Sequence, residues 1–413
     1  MAKNKHKDSL WQNIRVPVLL FNKLVQLKEQ NIIISNKTYY NCLYILSTLI
    51  SNQPRRFRNY TDFRPVPSER LKKMIGREYL KPLYILLDNG LIERTGNAFP
   101  SFKNSYGVTI KGECYEYRVN PKLIDEQKPI KTKFKYVERT PTYKEYKLQK
   151  EYKSDFIRDF ETLDIPYMKL YNEVENHTQN IEDLDKRVYV TNAWLEAIDN
   201  LKEGNLYAKR KNRLYSNFTN LSKILLGIIK EHNGLVESDV KCSQPAFLAY
   251  LLEKEGIYSP DISEFQKLVN ESDLYLHFKK DGMSRDEAKN LMFQIFFGKL
   301  ESNHYENVKM FGREFPNVLN YINDYKTKKG KAYNDFAILL QTTESKVFID
   351  GIYPKLRALN IPFFTKHDSI IYNKKDAELV QKVMHDYFNE IGFKGQLDHE
   401  YQIAQSTQTN IAI

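Results

Sequence analysis

Ile361-Pro362-Phe363-Phe364-Thr365-Lys366-His367-Asp368-Ser369-Ile370-Ile371-Tyr372 places two apolar runs on either side of a single acid. Phe, Ile and Tyr suit a pleated, half-buried surface, and His-Asp-Ser between them suits a tight turn. The stretch therefore reads as a β-hairpin with Asp368 at its tip. Upstream, Leu235-Val236-Glu237-Ser238-Asp239-Val240-Lys241 follows Asn233-Gly234 and reads as a second strand ending on Asp239. Aspartate is depleted in strands because its charge is costly beside an apolar core. A helix from Pro245 to Leu252 follows, with the proline in its first turn. Each acid alone has an ordinary explanation, Asp239 as a helix cap and Asp368 as a turn residue. Together, two acids at the ends of core strands can share a hard cation through oxygen ligands.

Between the acids, Ser284–Gly298 carries Arg285, Lys289, Phe293 and Phe297 at every fourth position. Four residues turn a helix by about 400°, so these side chains form one slowly drifting stripe, cationic first and aromatic after. That polarity suits a nucleoside triphosphate, with phosphates on Arg285 and Lys289 and sugar and base on Phe293 and Phe297. Taken without the flanking acids, the same pattern is an amphipathic helix with a basic edge.

The chain has 413 residues, 41% of them hydrophobic, which suits two or three domains with a real core. Its net charge of +11 favours an anionic partner such as a nucleic acid backbone, although a basic protein does not require one. The 29 tyrosines and 23 phenylalanines, interleaved with lysine, suit base stacking; an AT-rich coding sequence produces the same bias. Cys42, Cys114 and Cys242 are few and far apart, so neither a disulfide framework nor a zinc site is expected, and a reducing cytoplasm fits. No apolar run is long enough for a bilayer, and the basic start is followed by polar residues rather than a signal-peptide core.

Three regions are expected. Residues 1–125 read as helices followed by a hairpin: an apolar helix over Tyr39–Ser51, one opened at Pro67-Ser68-Glu69 with Ser68 as its cap, and one with Pro82 in its first turn, ended by Asn89-Gly90. Strands near Leu91–Glu93 and Tyr115–Val119 follow. This order resembles a winged helix, with Arg70, Lys72, Lys73, Arg77 and Lys81 as phosphate contacts and Lys103 and Lys111 on the wing. Such a module binds DNA in some proteins and other proteins elsewhere. Residues 126–155, rich in Lys, Pro and Thr, read as a basic linker. Residues 156–413 form the larger domain, helical and polar to about Leu206.

Asp239, the Arg-x3-Lys-x3-Phe-x3-Phe-Gly helix and His367-Asp368 resemble, in order, motifs A, B and C of family A DNA polymerases. Asn212–Leu221 is similar to the segment that precedes motif A in that family, and Gln341–Ser345 to the helix that precedes motif C. The likeness covers about residues 205–400. It implies an α+β fold with a winged-helix-like N-terminal domain, a palm built on an antiparallel sheet, helical fingers and a small thumb. It also implies two Mg2+ ions held by Asp239, Asp368 and the Val240 carbonyl, activating a primer hydroxyl and stabilising the leaving pyrophosphate. By the same likeness Arg285 and Lys289 bind triphosphate, Lys289 protonates pyrophosphate, Phe293 packs on the sugar and Phe297 lies near the template base. Arg213, Asn220, Gln341 and His367 touch primer and template, and Gln244 screens the sugar 2′ position.

The implied partners are a DNA primer-template, dNTPs and replication proteins, in a compact polymerase of a phage or mobile element. Ser369 stands where the family usually has Glu and Phe297 where it usually has Tyr. Single-subunit RNA polymerases share motifs A to C and also have Ser after the motif C acid. RNA or primer synthesis therefore stays open, as do a non-catalytic replication initiator and a metal-dependent nuclease.

Overall fold

The computed structural model describes residues 7–400, apart from 51–61, 77, 97–101, 104–108, 111–113, 126, 128, 140–142, 211, 280–281, 301–304 and 328–333. It is mixed helix and sheet, and the chain divides into two compact units. One contains the residues up to 150 with 166–206 and 221–225; the other contains 151–165, 207–220 and 226 onward.

The first unit begins with β1 (Lys7–Val16), α1 (Val18–Glu29) and α2 (Asn36–Ile50). Leu43, Ile45, Leu46 and Leu49 bury α2 at the centre of its core, against Leu20, Leu24, Leu83 and Leu86. Next come β2 (Arg64–Pro65), α3 (Ser68–Ile75), α4 (Leu80–Asp88) and β3 (Ile92–Thr95). Ser68 is the first helical residue of α3 rather than its cap; Pro67 stands at the cap position. Past α4, Gly90 takes a left-handed φ of 66°, which lets the chain leave the helix for β3. A two-residue pair, β4 (Phe102–Lys103) and β5 (Thr109–Ile110), precedes β6 (Glu116–Val119). β6 lies between β2 and β3, antiparallel to both, with Ile92 opposite Val119. Among the expected phosphate contacts, Arg77 and Lys111 lie outside the described residues, as do the side chains of Lys73 and Lys103.

The stretch expected as a linker differs. β7 (Ile130–Arg139) pairs antiparallel with β1 over its whole length, from Lys7 opposite Arg139 to Val16 opposite Ile130. Lysine alternates here with Thr, Phe and Tyr over Lys131–Tyr136, the period of a half-buried strand. Its partner lies at the far end of the unit in sequence, where a local reading cannot find it. α5 (Tyr143–Phe160) runs from the first unit into the second.

α6 (Tyr167–Thr178) and α7 (Leu184–Lys202) were expected in the C-terminal domain, yet they pack with the first unit. Val188 of α7 joins that unit's apolar core, and the helices are tied to it by charge through Asp199 on α7, only 4% exposed. Arg15 of β1 reaches it through Nε at 3.1 Å and Nη2 at 2.5 Å. Lys131 of β7 lies 3.3 Å away, and the Tyr171 hydroxyl of α6 donates at 2.8 Å. A carboxylate this deep needs such company.

The second unit opens with the hairpin β8 (Ala208–Arg210) and β9 (Leu214–Ser216), then α8 (Asn217–Asn220) and most of α9 (Lys223–His232). β10 (Leu235–Val240) leads into α10 (Ser243–Lys254), α11 (Pro260–Glu271) and α12 (Leu274–His277). α13 (Arg285–Phe297), α14 (Glu306–Glu314), α15 (Pro316–Thr327) and α16 (Asp335–Ser345) follow. A π-helical turn over Lys346–Ile352 joins α16 to α17 (Tyr353–Ala358). The chain then forms the hairpin β11 (Phe363–Lys366) and β12 (Ser369–Asn373), α18 (Ala377–Ile391) and β13 (Leu397–His399).

The four strands β11-β12-β10-β13 make one antiparallel sheet. Phe156, Phe218 and Phe364 cluster on it, with the Phe218 and Phe364 rings 4.4 Å apart. Phe265, Phe296, Phe311 and Phe315 form a second cluster among the helices. Asp159, 1% exposed, is paired with Arg357 and accepts from the Phe363 N–H at 3.2 Å, fastening the start of the β11–β12 hairpin to α5.

Candidate active site

Asp239 ends β10, and Asp368 sits in the two-residue turn between β11 and β12. The register sets Asp239 opposite Ser369, one residue past Asp368. The Val240 N–H donates to the Asp368 carbonyl at 3.2 Å, so the two acid-bearing ends are fastened to each other. His367 and Cys242 take left-handed φ values of 62° and 51° without being glycine. Left-handed backbone costs roughly 1–2 kcal/mol in a residue with a Cβ and gathers at functional sites. Here one such residue precedes Asp368 and the other follows Asp239 by three.

Asp239 is open to solvent on one side and crowded by protein on the other. Loss of hydration on the crowded side, together with the charges of Asp368 and Glu237, raises its pKa to about 8; the Val240 N–H and Lys289 oppose this. The open side tempers the effect, but its direction follows from two carboxyls sharing one small space. Glu237 behaves oppositely. Burial alone would raise it, but hydrogen bonds from Lys230 (2.7 Å) and the Ser369 hydroxyl (2.6 Å) hold it below the ordinary carboxyl value. A glutamate at 369 would face Glu237, which gives the serine there a physical reason.

α13 presents the stripe read from the sequence. Ser284 caps it with a reciprocal Glu287 contact. Ala288, Met292, Ile295 and Phe296 are buried, while Arg285, Lys289, Phe293 and Phe297 lie half-buried along the adjoining edge. Lys289 acts on Asp239 electrostatically and lies 5.6 Å from the Phe293 ring centre. The Phe293 and Phe297 rings are 5.2 Å apart. Arg285 is held by Asp273, Nε to Oδ2 at 2.8 Å, and lies 5.1 Å from the Tyr275 ring centre. Burial would raise Asp273, but the Arg285 and Cys242 hydrogen bonds outweigh it and lower its pKa. Asp273 and Tyr275 were not anticipated. Both lie on α12 or at its cap, in a stretch with no periodic signal.

The segments that precede β10 and the β11–β12 hairpin meet. Asn212 bonds to Gln341, and Arg213 pairs with Glu344. Gln244 Nε2 donates to the same Glu344 carboxyl at 2.8 Å. Glu344 is 0% exposed, and burial first, then the Asp368 charge, pushes it up to about 8 against Arg213 and Gln244. It is the chief residue that the sequence reading passed over. Asn220 is exposed and bonds to the Tyr207 hydroxyl at 2.5 Å. His367 meets Tyr215 edge-on, with ring centres 5.5 Å apart.

Among the described residues, no three His, Cys, Asp or Glu side chains converge as a metal cage. Two acids are nevertheless a fitting donor set for magnesium, which is commonly held by one or two carboxylates with substrate phosphates and water completing its shell. No helix among the described residues is long and apolar enough to cross a membrane.

No protein-family model and no curated protein matches this chain. Among solved structures, the POL domain of Pol1 from M. smegmatis, in complex with DNA primer-template and dNTP, resembles it with a TM-score of 0.35 and 10% identity. The match covers 56% of this chain and 55% of that one. At that level of overlap the likeness assigns no residue a role.

Proposed function

We propose that this protein is a template-dependent nucleotidyl transferase, a DNA-directed DNA polymerase that works with magnesium. The observation that carries the reading is the juxtaposition of Asp239, at the end of β10, and Asp368, in the turn before the paired strand β12, joined through the Val240 N–H and the Asp368 carbonyl, with Lys289 acting on Asp239. Two crowded acids repel one another, and a divalent cation relieves that repulsion. Asp239, Asp368 and the Val240 carbonyl would hold the magnesium, which would supply charge stabilisation for the attacking hydroxyl and the departing pyrophosphate. A nuclease needs the acids too, but it has no use for a cationic and aromatic stripe beside them.

In this reading the antiparallel sheet is the palm and α13 belongs to the fingers. Lys289 meets the triphosphate and donates an Nζ proton to the leaving pyrophosphate. Arg285 meets the same phosphates from its seat on Asp273. Phe293 and Phe297 offer ring faces to the sugar and the template base. Gln244 lies against the sugar, while Arg213, Asn220, Gln341 and His367 contact primer and template. The β2–α3–α4–β3–β6 order of the first unit supports a winged-helix-like DNA-binding role, with Arg70, Lys72 and Lys81 on phosphates. Replacing Lys72 and Lys81 together with alanine should flatten the salt dependence of DNA binding by about two log units per log unit of salt; an unchanged slope refutes that role.

The decisive experiment is extension of a labelled primer–template with magnesium, dNTPs and rNTPs being supplied in separate reactions. Extension with dNTPs is expected, and Asp368→Asn should abolish it. Extension mainly with rNTPs would move the protein to RNA or primer synthesis. Absence of extension with either, while DNA is bound, would favour the initiator reading.

A further inference from the structure

We propose that Glu344 is a positioning residue of this site, whose buried carboxyl fixes Gln244 against the sugar of the incoming nucleotide and Arg213 against the primer strand; this rests on the polymerase reading above. Three segments meet at one side chain. Glu344 comes from α16, Gln244 from the first turn of α10 just past Asp239, and Arg213 from the turn between β8 and β9. Among the described residues, neither the Gln244 nor the Arg213 side chain is held by its own element. Each is a long side chain whose immobilisation costs rotamer freedom. The Glu344 carboxyl accepts from both and supplies the hydrogen bonds that offset that cost.

A purely structural knot is the competing explanation, and two observations weigh against it. Three polar atoms of this one cluster, Glu344 Oε1, Gln244 Oε1 and Arg213 Nε, are buried with no hydrogen-bond partner among the described residues, which leaves it capacity to bind a ligand group. Glu344 also lies within the electrostatic reach of Asp368. The cluster thus adjoins an acid of the candidate metal site and has two acceptors and a donor to spare.

The test is single-nucleotide insertion with dNTP and rNTP. Glu344→Gln keeps the side-chain shape and should raise the nucleotide KM about tenfold, lower the preference between the two sugars about fivefold, and reduce kcat less than it raises KM. Gln244→Ala leaves the Arg213 pair in place, approaches the same contact from its other end, and should lose the same preference. If Glu344 acts on the sugar through Gln244, adding Glu344→Gln to Gln244→Ala should change the preference no further. Additive losses, or an unchanged KM and preference in both single variants, overturn the proposal while wild-type extension leaves the polymerase reading intact. A wild type that extends no primer overturns both.

Discussion

Asp199 in the first unit and Glu344 in the second are both acids with almost no exposed surface, each paired with an arginine from a distant stretch. Their surroundings differ. Asp199 receives Arg15, Lys131 and Tyr171, so both of its oxygens are occupied. Glu344 receives Arg213 and Gln244 on one oxygen, and its other oxygen has no partner among the described residues. Burial costs a carboxyl several kcal/mol, and a fold recovers that by surrounding it with donors. Asp199 is surrounded, and it joins β1, β7, α6 and α7 into one unit. Glu344 is under-supplied beside a second acid, the condition expected where a ligand completes the arrangement. On the proposal above, the contrast separates an acid that builds from an acid that serves a site.

The contrast breaks first at Asp368. Asp368→Asn should lower primer extension by at least about 1,000-fold, the scale of losing a group that holds charge in the transition state. It should not lower the thermal midpoint, because it removes one of two crowded like charges. A loss of folding would place Asp368 with the building acids instead.

Asp199→Asn should do the reverse. It leaves Arg15 and Lys131 beside a neutral partner and should cost about 3–5 kcal/mol in urea unfolding. A loss below about 1 kcal/mol would mean that the apolar core around Ile14, Val16 and Val188, rather than the ion cluster, holds α7 in the unit.

Much of the framework of the candidate site was legible because its signals are local. The apolar runs around Asp368 formed β11 and β12, the run into Asp239 formed β10, and the four-residue repeat formed α13 with its stripe on one edge. The first unit likewise gave up α3, α4 and the β3–β6 pairing, since Pro82 and Asn89-Gly90 mark their own turns. What escaped depends on partners far away in the chain. Lys131–Tyr136 looks like a solvated linker until β1 is set beside it. Glu344, in a run of Thr and Ser, looks exposed until Arg213 and Gln244 converge on it. Asp273 was unremarkable until Arg285 reached it. Periodicity reports which face is buried, but not which charge from another segment will lie there.

A buried cation sharpens the comparison with the smallest effect. Lys326 on α15 is 5% exposed and donates to the carbonyls of Ile295 (2.8 Å) and Gly298 (2.9 Å), closing the end of α13. Those partners are dipoles and not an acid, so burial lowers its pKa from 10.5 to about 8. Below pH 8 the lysine is charged in both the folded and unfolded states, and its contribution to stability does not change with pH. Between about pH 8 and 10.5 the unfolded chain binds the proton that the folded chain has released, so stability rises with pH, by up to about 3 kcal/mol. Lys326→Met removes the titrating group, and the lead of the wild type over the variant should therefore widen from pH 7 to pH 10 in urea titrations. A constant gap would mean that the two carbonyls solvate the ammonium as well as water does. Lys326 would then belong with Asp199, a charge whose surroundings fully compensate its burial.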